Sequence, residues 1–203
     1  RNIVVSDQAG QSNIMSRLKS IGIKIEKNDP KIKKLLSEVK DREFIGYSYD
    51  GADASFELLA RRLMGDIPRY ILINEYDVSV KKDSAGEIIS HAKAQLVVDG
   101  QKILCEGQGN GPVNALDNAI RKNVNKLAKY SEYLKDLKLV DYKVRILNTG
   151  TEAVTRVSIE STDSKGVNWF TIGVSPNIIE ASFKALVDSL DYKLFKDKAP
   201  ASL

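Results

Sequence analysis

Two short stretches, EYDVSV at Glu75–Val80 and DYKVRI at Asp141–Ile146, decide the fold. Each reads acid, Tyr, any residue, Val, any residue, then Val or Ile, and they stand 66 residues apart (141 minus 75). Their alternation of apolar and polar residues is that of a strand with one face buried. Outward from the first stretch, HAKAQLVVDGQKILCEG (His91–Gly107) reads as two strands around the hairpin dipeptide Asp99-Gly100, with Ile103 and Cys105 on one face. Pro112 then opens a long helix whose apolar stripe is Val113, Leu116, Ala119, Ile120, Val124 and Leu127. Outward from the second stretch the same order returns: EAVTRVSIE and VNWFTIGV as strands, SPNIIEASFKALVDSL as the helix. Gly109 and Pro112 correspond in this reading to Gly173 and Pro176, each at a spacing of 64. The expected fold class is α+β, with two tandem βββα units (68–135 and 136–203) about an internal pseudo-twofold that brings equivalent turns near each other. Two units are too few for a solenoid.

Before Tyr70, where the strand period begins, the pattern is helical. Ser12 is expected to cap a helix running to Ile21 with Ile14, Met15, Leu18 and Ile21 as its stripe, stopped by Gly22. Asp29-Pro30 is a cap and first-turn pair for a second helix carrying Ile32, Leu35, Leu36 and Val39. A third is expected over Ala52–Met64, closed by Gly65, with the aromatic link FIGYSYDGA between them. Residues 1–67 are therefore expected to form a helical subdomain. The start at Arg1, followed by the apolar run Ile3–Val5, reads as the exit from a folded part of a longer polypeptide.

Composition narrows the function classes. With 42% hydrophobic residues and no apolar run of the ~18 residues a membrane span needs, the expectation is a soluble cytoplasmic protein with no membrane partner. A single cysteine, Cys105, excludes an internal disulfide and is expected to be buried in a strand. The 31 basic and 27 acidic residues are dispersed, so a nucleic-acid partner is not favoured; an RNA-binding α+β module using strand tyrosines is the alternative reading. One histidine, His91, at an expected strand start, cannot supply a multi-histidine metal site, and no catalytic residue is assigned. Asp188 and Asp191 share a helix face, which a solvated helix end explains. Of Trp169 and Phe170, at least one is expected in the core.

The stretch GQGNGPVNALDNAIRK (Gly107–Lys122) holds the candidate site. Its glycines lack the dinucleotide spacing, because Pro112 stands where the third glycine would, and no Gly-Lys-Ser/Thr follows. Two readings stay open: a structural strand-to-helix turn, or a helix start whose free amides and partial positive charge hold a small anion. The second unit repeats the arrangement with Ser175 and Asn177 near its helix start. Val113, Ala115, Ile178 and Ile179 beside the two starts suit a branched apolar tail, and Asn114, Asn118 and Asn177 could accept from an ammonium group.

Several longer motifs carry a resemblance. GNGPVNALDNAIRK (Gly109–Lys122), VDYKVRIL (Val140–Leu147) and IGVSPNIIEASFKALVDSLDYKL (Ile172–Leu194) resemble the C-terminal portion of the 2-isopropylmalate synthase and citramalate synthase family. VSDQAGQSNI (Val5–Ile14), DPKIKKLLSEVKDREFIGY (Asp29–Tyr47) and GADASFELLARR (Gly51–Arg62) are similar to the citramalate branch. The resemblance implies a linker subdomain followed by a homodimeric regulatory domain of two βββα units that binds isoleucine or leucine as a feedback inhibitor. It also implies that catalysis belongs to a barrel outside this sequence. There an acyltransferase condenses acetyl-CoA with a 2-oxo acid using a divalent metal, so this chain would carry no cofactor and no activity alone. The effector contacts it implies are Gly109, Asn110, Gly111 and the start of the following helix, Val113, Asn114 and Ala115. The reading of the second helix start adds Ser175, Asn177 and Ile178 as candidate effector contacts. Two departures stand out: Asn114 where the family commonly has Asp, and SDQAG where isopropylmalate synthases have GKHSG.

Overall fold

The computed structural model describes residues 7–149 and 152–203; the apolar run Ile3–Val5 lies outside them. The chain folds as α+β, in the order α1 (Asp7–Ser20), α2 (Pro30–Phe44), α3 (Asp53–Met64), β1 (Leu72–Lys82), β2 (Ile88–Val98), β3 (Gln101–Gly109), α4 (Pro112–Arg121), α5 (Ser131–Leu134), β4 (Lys138–Thr149), β5 (Glu152–Thr162), β6 (Asn168–Ser175) and α6 (Ile178–Lys196). Both sheets are three-stranded and antiparallel, ordered β1-β2-β3 and β4-β5-β6.

Local chemistry sets most boundaries. The Asp29 side chain accepts from the Lys31 amide at 2.9 Å, with Pro30 in the first turn of α2. Gly65 closes α3 in the left-handed conformation at φ 73. Asp99 and Gly100, at φ 50 and 72, make the two-residue turn between β2 and β3 that matches strand twist. Several boundaries depart from the sequence expectation. Helix α1 starts at Asp7, not Ser12, and its internal Gly10 is tolerated where α1 meets α2, since a Cβ there would stand 3.1 Å from Leu36 Cδ1. Strand pairing starts at Leu72 and at Ile88, so Tyr70 precedes β1 and His91 lies within β2. The long helix expected through Leu127 ends at Arg121. The Asn123 amide donates to the Ala119 carbonyl at 2.7 Å and the Glu106 carbonyl at 2.9 Å, taking an acceptor that a continuing helix would use. Two 3-10 turns, Val124–Lys126 and Ala128–Tyr130, then carry Val124, Leu127 and Tyr130 into the core.

The outer strands and the helices of the two units repeat at one spacing. The bulges at Ile73/Glu75 and Leu139/Asp141 differ by 66 (139 minus 73), as do the starts of α4 and α6 (178 minus 112). Gly107 therefore matches Gly173 (173 minus 107), in place of the expected match of Gly109 with Gly173 at 64, and Pro176 precedes its helix where Pro112 starts one. Steric contact explains the corrected match. A Cβ on Gly107 would lie 2.3 Å from the Ala119 amide nitrogen, and one on Gly173 would lie 2.0 Å from the Ala181 carbonyl and 2.9 Å from the Ala185 nitrogen. These glycines let strand and helix backbones touch in each unit.

One core joins both units: Ala92, Ala94, Leu96 and Cys105 from the first sheet, Val157, Ile159 and Trp169 from the second, with Leu116, Ala119, Ile120, Leu186 and Leu190 from α4 and α6. Trp169 is buried and Phe170 exposed, as alternation on one strand requires. A second core lies under α1–α3, where Leu18, Ile32, Leu35 and Phe56 pack with Val154, Ile172 and Val174 from the opposite face of the second sheet. The helical segment thus covers the outer face of one sheet only.

Candidate functional site

The two helix starts, equivalent by sequence, differ in chemistry. At α6 the Asn177 side chain accepts from the Ile179 and Glu180 amides at 2.8 and 3.3 Å, and Ser175 Oγ accepts from the Asn177 amide at 3.1 Å. Its amide donors are engaged by the chain itself. At α4 the N-cap is Gly111 and no side chain caps the helix. Asn114 Oδ1 instead accepts from the Asn110 amide outside the helix, at 3.3 Å. With Pro112 lacking an N–H, the Val113 and Asn114 amides are the donors left at this start.

The expected residues are therefore only partly brought together. Gly109, Asn110, Gly111 and Asn114 form one turn that reaches the surface. The side chains of Val113 and Ala115 are buried in the protein interior, because they fall on the apolar stripe of α4, so of Val113 only the backbone amide faces the helix start. Ser175, Asn177 and Ile178 form a separate, capped turn. The helices meet further along, where Ile120 and Arg121 of α4 share a cavity wall with Leu186, Ser189 and Leu190 of α6.

Strand register supplies what the helix start lacks. Gly109 pairs with Ser90, which pairs with Val80; Ser175 pairs with Thr155, which pairs with Ile146. Directly opposed residues share a face. Val80 and Ile146, 59% and 77% exposed, thus lie in the same cross-strand rows as the two helix starts, on the faces that carry α4 and α6. Tyr142 and Val144 extend the stripe along β4, and Ile178 adds a further exposed apolar side chain. Tyr76, the counterpart of Tyr142, is covered by its stack on Phe183 at 4.0 Å between ring centroids. An uncovered apolar stripe on an edge strand marks a surface that another molecule covers.

A second feature lies where the helical segment meets α6. A cleft of ≈ 480 Å³ is lined by Arg42, Tyr47, Tyr49, Arg62, Tyr76 and Asp188, among others. Asp188 and Asp191 are not a solvated pair: Arg62 Nη1 donates to Asp188 Oδ1 and Nη2 to Asp191 Oδ2, each at 3.0 Å, and Ser55 Oγ donates to Asp188 Oδ2 at 2.8 Å. The i,i+3 spacing of the aspartates was visible in the sequence; the guanidinium comes from a helix 126 residues away.

Similarity to known proteins bears on these features. The sequence profile of the LeuA allosteric (dimerisation) domain matches residues 50–194. The chain belongs to that family. The LeuA domain here begins within the aromatic link before α3 and takes in both βββα units. The chain is similar to (R)-citramalate synthases of Aquifex aeolicus, 45% identical over 98% of this chain and 37% of the relative, and Geobacter sulfurreducens, 41% identical over 97% and 37%. It is also similar to a 2-isopropylmalate synthase of Cupriavidus pinatubonensis, 28% identical over 93% of this chain and 34% of the relative. The LeuA-domain chain thus spans little more than a third of the length of these relatives.

Proposed function

We propose that this chain is the regulatory and dimerisation part of a citramalate or 2-isopropylmalate synthase, and that it binds isoleucine or leucine as a feedback inhibitor. The observation that carries the reading is the uncapped start of α4 in the same cross-strand row as the exposed Val80. A branched-chain amino acid is a carboxylate beside an apolar tail. The Val113 and Asn114 amides and the helix dipole suit the carboxylate, and Val80 and the β4 stripe suit the tail. A second copy of the chain covers that stripe, which makes the pocket a property of the homodimer.

The parent enzyme is an acyltransferase that joins acetyl-CoA to a 2-oxo acid in a barrel using a divalent metal. Among the described residues no three His, Cys, Asp or Glu side chains stand together as a metal-holding group, and no catalytic step is assigned to this chain. Inhibition follows if the amino acid binds one arrangement of the parent better than another, a preference of about 1–3 kcal/mol sufficing for a typical effector. The helical segment, packed on the second sheet, is the element placed to convey it.

Isothermal titration of the chain with isoleucine, leucine and valine tests the reading, with 2-methylbutylamine, which is isoleucine without its carboxylate, as the control. Saturable heat with isoleucine or leucine and none with the amine is expected. Equal binding of the amine, or no binding of any amino acid by an intact dimer, contradicts it.

A further inference from the structure

Among the described residues, Arg62 of α3 is the one cation that bonds to Asp188 and Asp191 of α6, and it serves both. Each carboxylate keeps only 16% of its side-chain surface. The four carboxylate oxygens are not equally provided for. Asp188 Oδ1 and Oδ2 take hydrogen bonds from Arg62 and Ser55, and Asp191 Oδ2 takes one from Arg62. Asp191 Oδ1 is buried with no partner. An ionised carboxylate with an orphaned, dehydrated oxygen is costly, whereas a neutral carboxyl can carry its proton on that oxygen and still accept from Arg62 through the other.

We infer that Asp188 and Asp191 hold one dissociable proton in common, and that its loss weakens the docking of α3 on α6. With the proton in place the cluster is one guanidinium, one carboxylate and one carboxyl, and is electrically neutral. Without it, a second negative charge sits in the contact with no donor at Asp191 Oδ1. The proton belongs to the pair, because the two carboxyls interact through the same guanidinium.

The groups facing the pair from each packed element agree with this assignment. From α3 come Arg62 and the Ser55 hydroxyl, which also accepts from the Ile172 amide of β6 at 2.9 Å. From α2 comes the more distant Arg42 guanidinium, which is hydrogen-bonded to Glu38 at 2.7 Å. The link before α3 supplies Tyr47 and Tyr49, the approach to β1 supplies Tyr70, and the 3-10 turn before α5 supplies Tyr130, all neutral phenols. Lys184 and Glu180, opposite in charge, line the cleft with Asp188, and the cleft gives the proton a route to water. Burial pushes the Asp191 carboxyl up to about 7, opposed by Arg62 and reinforced by Asp188. Burial raises Asp188 as well. The sign follows: a carboxyl whose folded pKa is raised stabilises the contact at acid pH, and that stabilisation is lost as pH rises from the ordinary carboxylate range through about 7.

The test is a ¹³C titration of the aspartate carboxyls in the intact chain from pH 4 to 9, with hydrogen exchange of the α3 amides at pH 6 and 8 corrected for intrinsic rate. One aspartate resonance with a midpoint near 7, absent in Asp191→Asn, is expected, together with faster corrected exchange in α3 at pH 8. In Asp191→Asn the exchange should no longer respond to pH. If every aspartate titrates below pH 5, or if α3 protection is the same at both pH values, the inference is overturned. The wild-type titration decides the shared proton even if the variant does not fold.

Discussion

Gly107 and Gly173 stand where a side chain has no room, with backbone atoms of α4 and α6 within 2.3 and 2.0 Å of a would-be Cβ. Gly111, three residues from Asn114, has open space around it and an extended φ of −164 that any residue adopts. Their substitutions should therefore diverge. Gly107→Ala and Gly173→Ala each force helix and strand apart, at a cost of about 3 kcal/mol or more. Gly111→Ser supplies the missing cap of α4 and stabilises by a few tenths of a kcal/mol. Its hydroxyl would accept from the amides of Val113 or Asn114, so the same variant should bind the amino acid more weakly. Urea unfolding measures the first effect and titration calorimetry the second; a Gly111→Ser chain that binds unchanged would remove the α4 amides from the site.

Among the elements, α6 carries the heaviest electrostatic load besides the pair already described. Lys193 is 1% exposed and reaches Asp136 at 3.1 Å, Asp163 and Asp197. Hydrogen bonds from Ser164 and Lys193 outweigh burial and hold Asp136 down at about 2; those from Lys193, Lys196 and Lys165 do the same for Asp197. These are lowered carboxylates, so their stabilisation is present above the unfolded value of 3.8 and is lost as pH falls from about 4 towards 2. Lys193→Met should cost about 3 kcal/mol, because it leaves Asp136 without its cation and removes one of the cations that serve Asp163 and Asp197. It should also flatten the acid limb of the urea midpoint between pH 4 and 2.5; an unchanged acid limb would contradict the assignment.

What the elements disclosed in advance followed from locality. The caps at Asp29-Pro30 and Gly65 and the Asp99-Gly100 turn are settled by neighbours in sequence, and each was legible there. The break of α4 was not, because Asn123 ends the helix partly through the Glu106 carbonyl of another element. Nor was the burial of Asp188 and Asp191, which waits on Arg62 from α3. The glycine turn was legible as a turn. That only one of the two helix starts keeps its amides free depends on Asn177 bending back onto α6 while Asn114 bonds outward to Asn110.

At the scale of the whole molecule, the helical segment covers the outer face of the second sheet while β1 and β4 leave Val80, Tyr142, Val144 and Ile146 uncovered. If a second copy covers them, Ile146→Glu should convert a dimer to a monomer in sedimentation velocity without loss of helical signal, since Ile146 contributes little to its own core. A variant that remains dimeric would place the interface elsewhere. The central claim, that a branched-chain amino acid sits at the start of α4 within that face, is tested most directly by titrating the ¹⁵N-labelled chain with isoleucine and with leucine and following backbone amide shifts. Saturating shifts at Gly111, Val113, Asn114 and Val80, with the capped amides of Ile179 and Glu180 little changed, are the predicted result. Shifts confined to the cleft around Arg42 and Tyr76, or none with either amino acid, would contradict it.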